Sequence, residues 1–398
     1  MEALGWLIFI VAAIASVMLH ETGHFVTAKR FGMKATRYFV GFGPTLWSIH
    51  RGETEYGIKA IPAGGFVKIE GMTSLDEVDP ADEPRSFRRA PAWQRLIVLG
   101  AGSFMHFLFA AVLIFGVALA IGNENIENSN TTQVGTVTPY VPANEQAIVN
   151  GVSCASEAKS PAAAAGLNVG DQVTSFDGVA VSNWTQLQNE ILKVKPGTPV
   201  TLTVLRDGHS LTMRTALAEV KGHGSFFGIA PAAITVFQRQ SPIDAVKDIG
   251  TGFSTVVTGS AHGLGALPAA LPSLFSADRA CTPAGNVGSL VGAAQATGAA
   301  VASPEGWQAK VSFVLLIIAE INIFWGVLNL LPLLPLDGGH IAVVIWERIR
   351  ARFYRLQHRP DPGLVDYTKL IPLSFSVFVV LCLLSLLVLA SDIYRPVF

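Results

Sequence analysis

Four long apolar runs constrain this chain more than any other feature of its sequence. About 20 helical residues cross the hydrocarbon core of a bilayer, which is about 30 Å thick. Runs of this length or longer lie at residues 4–25, 96–121, 311–331 and 371–390. Hydrophobic residues make up 50% of the chain and charged residues only 14%, which is typical of a membrane protein. The sequence therefore predicts a polytopic α-helical membrane protein with four transmembrane helices.

Basic residues predict the orientation of these helices, because Lys and Arg are enriched in cytoplasmic connections. The connections at residues 26–95 and 332–370 are rich in both. The insert at residues 122–309 is longer than the first connection yet carries fewer basic residues. We therefore expect both termini and the insert outside the cytoplasm. The first run lacks a basic segment before it and a small-residue cleavage site, which favours a retained helix over a signal peptide.

Net charge and cysteine spacing limit the classes of function. A net charge of -1 gives no reason to expect nucleic-acid binding. Cys154, Cys281 and Cys382 lack CxxC spacing, so they predict neither a thiolate zinc site nor a disulfide framework. A bridge between Cys154 and Cys281 stays an open possibility.

Residues 122–225 predict a separate β-rich domain within the insert. Short alternating runs typical of strands are separated by turn signals such as Asp177-Gly178 and Asp207-Gly208, and one stretch has helical spacing. The order of a short helix ending in Ala-Gly, a Gly-Asp turn, an Asp-Gly hairpin and a second helix resembles a PDZ domain. That resemblance implies a peptide bound along a sheet edge. A spacer without a ligand is the alternative.

The remaining parts of the chain follow from these boundaries. Residues 226–309 are rich in Gly, Ala and Ser and are expected to form an extracytoplasmic linker with an amphipathic surface helix. Residues 1–121 and 310–398 then form the two membrane parts, each with two of the apolar runs.

Two histidines and a glutamate stand near the end of the first apolar run, in the sequence HETGH. Ionisable side chains are costly inside a bilayer, so His20, Glu21 and His24 indicate a function. Four positions apart on a helix, the two imidazoles lie on one face and can share a tetrahedral zinc ion. Glu21 can then be the general base of a hydrolase. The alternative, a chance match to HExxH, would leave three polar groups desolvated without a purpose.

A zinc hydrolase needs a third protein ligand, and Asp337 in the sequence LPLLPLDGGH is the predicted one. At 1.5 Å per residue, Asp337 and His20 lie at comparable depths below the outer ends of their apolar runs. Pro332 and Pro335 should end the helix just before Asp337 and free the backbone to turn its carboxylate inward. A helix-capping Asp at the membrane surface is one alternative, and His340 is a rival ligand.

Taken in order along the chain, these motifs resemble the site-2 proteases, a family of intramembrane zinc metalloproteases, in the bacterial form with a single PDZ domain. The set comprises HExxH in the first span, a PDZ-like insert after the second, and N-x-x-P followed by L-D-G at the end of the third. The resemblance implies that His20, His24 and Asp337 bind Zn²⁺ and that Glu21 is the catalytic base. It also implies that Asn329 helps to hold substrate or an oxyanion.

The same resemblance implies a membrane-associated β-hairpin after the first helix, and the segment TEYGIKAIPAGGFVKIEGM is similar to it. Its paired Gly64 and Gly65 suit a hairpin whose open edge binds an unwound substrate. One departure from the family lies in the second span. Relatives usually carry G-P-x-x-N there, whereas this chain has Ser103 and His106 in place of the proline and asparagine. His106 is expected either to pack as a polar substitute or to bind or tune the metal.

The implied function is regulated intramembrane proteolysis in a bacterial cytoplasmic membrane by a zinc metalloendopeptidase. The expected substrates are single-span membrane proteins, such as an anti-sigma factor already cut outside the membrane. The lipid bilayer and a peptide ligand of the PDZ-like domain are the other expected partners. A metal-ion transporter and a PDZ-bearing membrane scaffold are the alternatives. A transporter needs a polar path to the other membrane face, and the first run offers only Ser16 there.

Overall fold

The computed structural model describes residues 1–73, 75–128, 131–142, 158–220, 222–276, 279, 282, 284 and 287–395. The possible Cys154–Cys281 bridge lies outside these residues. Cys382 is a half-buried free thiol.

The described residues form the following helices and strands. The helices are α1 (Glu2–Arg30), α2 (Ala92–Ala120), α3 (Pro161–Ala165), α4 (Trp184–Lys193), α5 (Pro242–Ala270), α6 (Leu290–Ala302), α7 (Trp307–Asn329), α8 (Asp337–Leu356) and α9 (Ile371–Tyr394). The strands are β1 (Ala35–Arg51), β2 (Thr54–Ile69), β3 (Asn123–Asn128), β4 (Val134–Val137), β5 (Gln172–Phe176), β6 (Val179–Ala180), β7 (Pro199–Arg206), β8 (His209–Ala216), β9 (Ala218–Val220), β10 (Gly224–Phe226), β11 (Ile229–Pro231) and β12 (Ala233–Gln238).

Helices α1, α2, α7 and α9 are long and apolar enough to cross a membrane, which confirms that the four predicted runs form long apolar helices. Helix α1 continues past its apolar run to Arg30. Its last turn is polar and carries Lys29 and Arg30. Basic residues at a helix C-terminus also interact favourably with the helix dipole.

Small residues allow α1 and α2 to pack closely. A Cβ atom at Gly23 of α1 would lie 2.4 Å from the carbonyl oxygen of Ala101. On its other side, α2 packs against α7 through the buried side chains of Ala110, Ile114 and Ile323. Helix α2 therefore lies between α1 and α7, and such close approaches are a common way for helices to associate in lipid.

Helices α5 and α6 lie in the region expected to be a linker with a surface helix, and both contact the membrane helices. Ile249 and Phe253 of α5 pack against the core shared by α2 and α7. Helix α6 crosses α1 so closely that a Cβ atom at Gly5 would lie 2.7 Å from the Cα atom of Gly298. These two helices therefore extend the helical body rather than hanging free from it.

Strands β1 and β2 form a bent hairpin between α1 and α2, with its turn after Arg51. Residues 37–40 of β1 pair with residues 65–68 of β2 on one side and with residues 55–58 on the other. Gly41, with a φ of 84°, lies where β1 bends away after this doubly paired stretch. The sequence segment predicted to form the whole hairpin forms only its second strand, β2. The first strand, β1, precedes that segment in the chain.

A small β-rich domain with its own apolar core follows α2. Val173, Leu187, Leu202 and Val204 are fully buried in that core. Its main sheet has the strand order β6-β5-β7-β8. Strand β11 pairs with β4 and β12 pairs with β3, so strands beyond residue 225 contribute to this part of the chain.

Two tight hairpins in this domain follow the predicted turn chemistry. Asp177 and Asp207 have φ values of 47° and 49°, and the glycines after them have φ values of 81° and 80°. Two successive positive φ angles define the hairpin turn that Asp-Gly favours. The turn predictions at both places are confirmed.

Candidate metal centre

His20 and His24 lie on one face of α1, as their spacing requires. Their Nε2 atoms are 3.0 Å apart. Asp337, the first residue of α8, places its Oδ2 atom 3.2 Å from Nε2 of His20 and 3.3 Å from Nε2 of His24. Within the described part of the chain, these three side chains form a possible metal-binding group whose ligand atoms all lie within 4.8 Å of one another. We call this group the triad.

The chain between α7 and α8 aims Asp337 at the histidines. Helix α7 ends at Asn329, eight residues before Asp337, and two prolines in the connection prevent it from continuing. The glycines after Asp337 make room for the turn. A Cβ atom at Gly338 would lie 2.2 Å from the carbonyl oxygen of Leu331, and one at Gly339 would lie 2.6 Å from the backbone nitrogen of Leu334. The sequence DGG therefore allows α8 to begin directly against the preceding turn.

The donor atoms of the triad fit a zinc ion. Nδ1 of His24 lies 2.7 Å from the carbonyl oxygen of Val98, which can only accept, so Nδ1 carries the proton and Nε2 keeps its lone pair. Oδ2 of Asp337 and Nδ1 of His20 are buried without a hydrogen-bond partner among the described residues. Two imidazole nitrogens and a carboxylate oxygen are a donor set of catalytic zinc sites, which keep a further position open.

Gly102 of α2 makes room for the two imidazoles. A Cβ atom at this position would lie 2.5 Å from Cε1 of His20 and 2.5 Å from Nε2 of His24. Non-bonded heavy atoms do not pack that closely, so a larger residue at position 102 would displace the imidazole rings. Sequence analysis missed this residue, and only its small size within a stretch of polar and small residues could have suggested it.

Glu21 follows His20 on α1 and contacts the hairpin. Its Oε2 atom accepts a hydrogen bond of 3.0 Å from the backbone N–H of Val67 in β2. Within the described residues, Oε1 makes no hydrogen bond. One carboxylate oxygen is therefore held by the sheet while the other is available to accept a proton. The contact with Val67 was not foreseen from the sequence.

The other predicted residues lie at different distances from the triad. Gly64 and Gly65 precede Val67 on the same strand, and a Cβ atom at Gly65 would lie 2.5 Å from Sδ of Met18 on α1. Asn329 is half-buried at the end of α7. His340 places Nδ1 3.2 Å from Oη of Tyr367 and stacks on its ring, so it is not part of the triad.

Comparison with known proteins identifies the family of this chain. The model of peptidase family M50 matches residues 8–359. The chain belongs to peptidase family M50. It is similar to the zinc metalloprotease Rip1 of Mycolicibacterium smegmatis, with 33% identity covering 100% of this chain and 98% of that protein. Rip1 of Mycobacterium tuberculosis is also 33% identical, covering 99% of this chain and 98% of its own length.

The M50 chain carries a second polar group beside the triad, around His106 of α2. The His106 ring centroid lies 4.9 Å from that of His20. Nδ1 of His106 is 2.8 Å from Oδ1 of Asn322, and Nδ2 of Asn322 donates to Oγ of Ser16 at 3.0 Å. All three side chains are almost fully buried. Sequence analysis noted Ser16 only as a polar residue of the first run and missed Asn322, since single polar residues in an apolar run give no indication of their partners.

Proposed function

We propose that this M50 peptidase cleaves peptide bonds in the transmembrane segments of other membrane proteins, with zinc bound by His20, His24 and Asp337 and with Glu21 as general base. The full-length similarity to proteins named zinc metalloproteases makes the chain a zinc metalloendopeptidase. The observation that carries the residue assignment is the triad itself, because its three ligand atoms lie within 4.8 Å of one another and Oδ2 of Asp337 is buried without a hydrogen-bond partner among the described residues.

The active-site residues have separable tasks. When bound, zinc supplies a Lewis acid that polarises a carbonyl and makes water more acidic. Oε1 of Glu21 accepts the proton from the attacking water and later delivers it to the leaving amine. The Val67 N–H fixes the carboxylate through Oε2, so Glu21 keeps its orientation during both transfers.

The proposal gives the hairpin the task of presenting the substrate. A transmembrane helix has its carbonyls already bonded, so a stretch must unwind before hydrolysis. The outer edge of β2 near Val67 faces α1, and an unwound stretch could pair there as an added strand. Gly65 lets this part of β2 lie close to Met18 of α1, because a Cβ atom there would lie 2.5 Å from Sδ of Met18. Asn329, at the end of α7, is assigned to hold the substrate or the oxyanion on the grounds of the family motif.

The proposed substrates are single-span proteins such as anti-sigma factors, after a first cut has removed most of their outer domain. The distribution of Lys and Arg supports a bacterial cytoplasmic membrane location with both termini and the β-rich domain outside the cytoplasm. In this arrangement the triad lies toward the cytoplasmic side. The β-rich domain, which we propose to be a PDZ domain, would bind the trimmed end or exclude bulky outer domains.

The test uses the purified full chain in proteoliposomes with a tagged single-span protein that lacks its outer domain. We expect the unchanged protein to cut within the span, as located by mass spectrometry. Glu21→Gln should slow cleavage by about 10²- to 10⁴-fold, the usual contribution of a general base. Its zinc content should equal that of the unchanged protein, because Glu21 does not belong to the triad.

Equal cleavage by both forms would refute the assignment of Glu21. Zinc flux into the vesicles without cleavage would favour a transporter instead. A chain without zinc and without cleavage would favour a scaffold.

A further inference from the structure

A buried chain of polar side chains runs from α1 through α7 to α2 and ends beside the triad. It consists of Ser16, Asn322 and His106, which are 1%, 1% and 2% exposed. Polar groups in a membrane interior are retained where they perform a task. The proposed roles of the triad and of Glu21 use none of these three residues.

The hydrogen bonds of this chain fix the tautomer of His106. The Ser16 hydroxyl donates to the carbonyl oxygen of Ala12, so it accepts from Nδ2 of Asn322. Nδ2 also donates to the carbonyl oxygen of Ile318 at 2.8 Å, which identifies it as the amide nitrogen. Oδ1 of Asn322 is therefore an acceptor, and Nδ1 of His106 must donate the proton in their 2.8 Å contact. In a neutral imidazole this leaves Nε2 of His106 with a free lone pair.

His20 has the complementary requirement. Its Nε2 faces Asp337 and is the ligand atom, so its proton belongs on Nδ1. Nδ1 is buried and has no partner among the described residues. Histidines that bind metals almost always donate their second ring N–H to an acceptor, which fixes the orientation of the ring. His24 follows this rule through Val98, whereas Nδ1 of His20 has no acceptor within hydrogen-bond distance in the described part of the chain.

The geometry brings this donor and this acceptor to the same face of α2. A Cβ atom at Gly102 would lie 2.7 Å from Nδ1 of His20, so that nitrogen faces α2. His106 lies four residues after Gly102, which places it one turn further along the same face. The rings of His20 and His106 have centroids 4.9 Å apart with a 40° angle between their planes.

We propose that His106 is a positioning residue for zinc: its Nε2 accepts a hydrogen bond from one water that bridges it to Nδ1 of His20, and this bridge orients His20 as a ligand. Asn322 and Ser16 act behind it by holding the proton on Nδ1 of His106. The proposal rests on the proposed zinc site, since it assigns His20 as a ligand. In this proposal the three residues Ser16, Asn322 and His106 together support a single zinc ligand, His20.

Three substitutions at one position separate this role from simple packing. The side-chain amide of Gln reaches about as far as Nε2 of histidine, whereas that of Asn reaches about as far as Nδ1. His106→Gln can therefore still accept from the bridging water, and His106→Asn can keep only the bond to Asn322. His106→Leu removes both hydrogen bonds. The readout is the dissociation constant for zinc alone, measured by chelator competition on the purified full chain in detergent, with thermal unfolding of the metal-free protein as the folding control.

We expect His106→Asn and His106→Leu to weaken zinc binding by about 10- to 100-fold, the usual effect of losing an outer-shell partner. His106→Gln should stay within about threefold of the unchanged protein. Equal affinity in all three, or retention by Asn with loss by Gln, would overturn the proposal. The latter result would show that zinc binding depends on the bond between position 106 and Asn322 and not on an acceptor for His20.

Two further variants keep the possible failures apart. Ser103 is also buried without a partner for its hydroxyl among the described residues, and it is the rival acceptor on α2. A loss of zinc affinity in Ser103→Ala, with none in His106→Asn, would assign the task to Ser103 and overturn the proposal. His20→Ala should weaken zinc binding more than any substitution at position 106. If His20→Ala leaves the affinity unchanged, the proposed zinc site itself is wrong.

Discussion

Two buried polar clusters of this molecule differ in how completely they are satisfied. In the first, Nη2 of Arg279 lies 2.6 Å from Oδ1 of Asp392, and both side chains are about 2–3% exposed. Oδ2 of Asp392 accepts from the backbone N–H and the hydroxyl of Ser289. The remaining donors of Arg279 reach backbone carbonyls, those of Ala284, Val287 and Arg395. Every charged atom of this cluster has a partner within the protein.

The triad is the opposite case, because His20, His24 and Asp337 bring three possible ligand atoms together and leave Nδ1 of His20 and Oδ2 of Asp337 without a hydrogen bond among the described residues. Buried polar groups normally find partners, and the exceptions require an explanation. A complete cluster contributes to the fold. An incomplete one is expected where a ligand completes it, in keeping with the proposed zinc site, and the difference can be measured by changing one carboxylate in each cluster.

Asp392→Ala should have the largest effect on folding. It leaves the Arg279 guanidinium buried without its charge partner, which typically costs about 3–5 kcal/mol. The free energy of unfolding in mixed micelles should fall accordingly, while the zinc affinity of the protein that remains folded should not change. A double replacement of Arg279 and Asp392 by Leu should recover much of the loss. If the free energy of unfolding of Asp392→Ala equals that of the unchanged protein, the Arg279–Asp392 cluster does not stabilise the fold.

Asp337→Asn should show the reverse pattern. Removing a charged ligand is expected to weaken zinc binding by about 100-fold or more, beyond the effect of losing an outer-shell partner. The metal-free protein should be at least as stable as before, because functional sites hold polar groups in unfavourable arrangements. Chelator competition and thermal unfolding of the metal-free form measure the two quantities. A marked loss of metal-free stability would contradict the contrast between the clusters.

Gly102→Ala should have an intermediate effect that is confined to the triad. The added Cβ atom would lie 2.5 Å from both imidazoles, so at least one ring must move. We expect zinc binding to weaken by about 10-fold. Gly100→Ala is the matched control on the same helix, since a Cβ atom there would meet nothing within 4 Å. Equal zinc affinities of the two variants would show that Gly102 is not needed for close approach.

Glu53, at the hairpin turn, forms a third cluster that is satisfied but partly solvated. Nη1 of Arg85 donates to its carboxylate at 2.6 Å, and Lys29 contacts it as well. Arg85 first, and Lys29 with it, lower the pKa of the Glu53 carboxyl from 4.5 to about 2. Because the pKa is lower in the folded state, this stabilisation is complete above about pH 4.5 and is lost as the pH falls toward 2.

Glu53→Gln should therefore reduce stability near neutral pH by about 1 kcal/mol or less and flatten the acid limb of the profile. Thermal unfolding between pH 3 and 7 measures this effect. Glu55→Gln serves as the control, since its carboxylate lies 3.9 Å from Arg37. An acid limb in Glu53→Gln as steep as that of the unchanged protein would contradict the assignment.

The sequence predicts those parts of the molecule that depend on local patterns. Hydropathy gives the four spans, helical spacing places His20 beside His24, and Asp207-Gly208 specifies its own turn. The proximity of Asp337 to the histidines could be predicted because Asp337 and His20 lie at similar depths along their apolar runs. The roles of these residues as zinc ligands stay proposals.

The rest depends on contacts between distant segments. The stretch at residues 37–40 pairs with two parts of β2 at once, and no local pattern in the sequence marks a strand for double pairing. The contact of Glu21 with Val67 depends on that sheet register, and the place of Gly102 depends on how α1 crosses α2. Helix α5 has small and apolar residues suited to several surfaces, so its packing on α2 and α7 follows only from the assembled fold.

The hydrogen bond from Val67 to Glu21 makes the orientation of the proposed proton acceptor depend on the strand register that the hairpin adopts when the chain folds. Neighbouring amides on a strand point to opposite edges, so a slip of β2 by one residue would turn the N–H away from Glu21. The triad contains no hairpin residue, so the proposed zinc site would be complete in either case. A purified preparation can therefore hold metal-replete molecules that do not turn over, and active-site titration, not metal content, gives the active fraction.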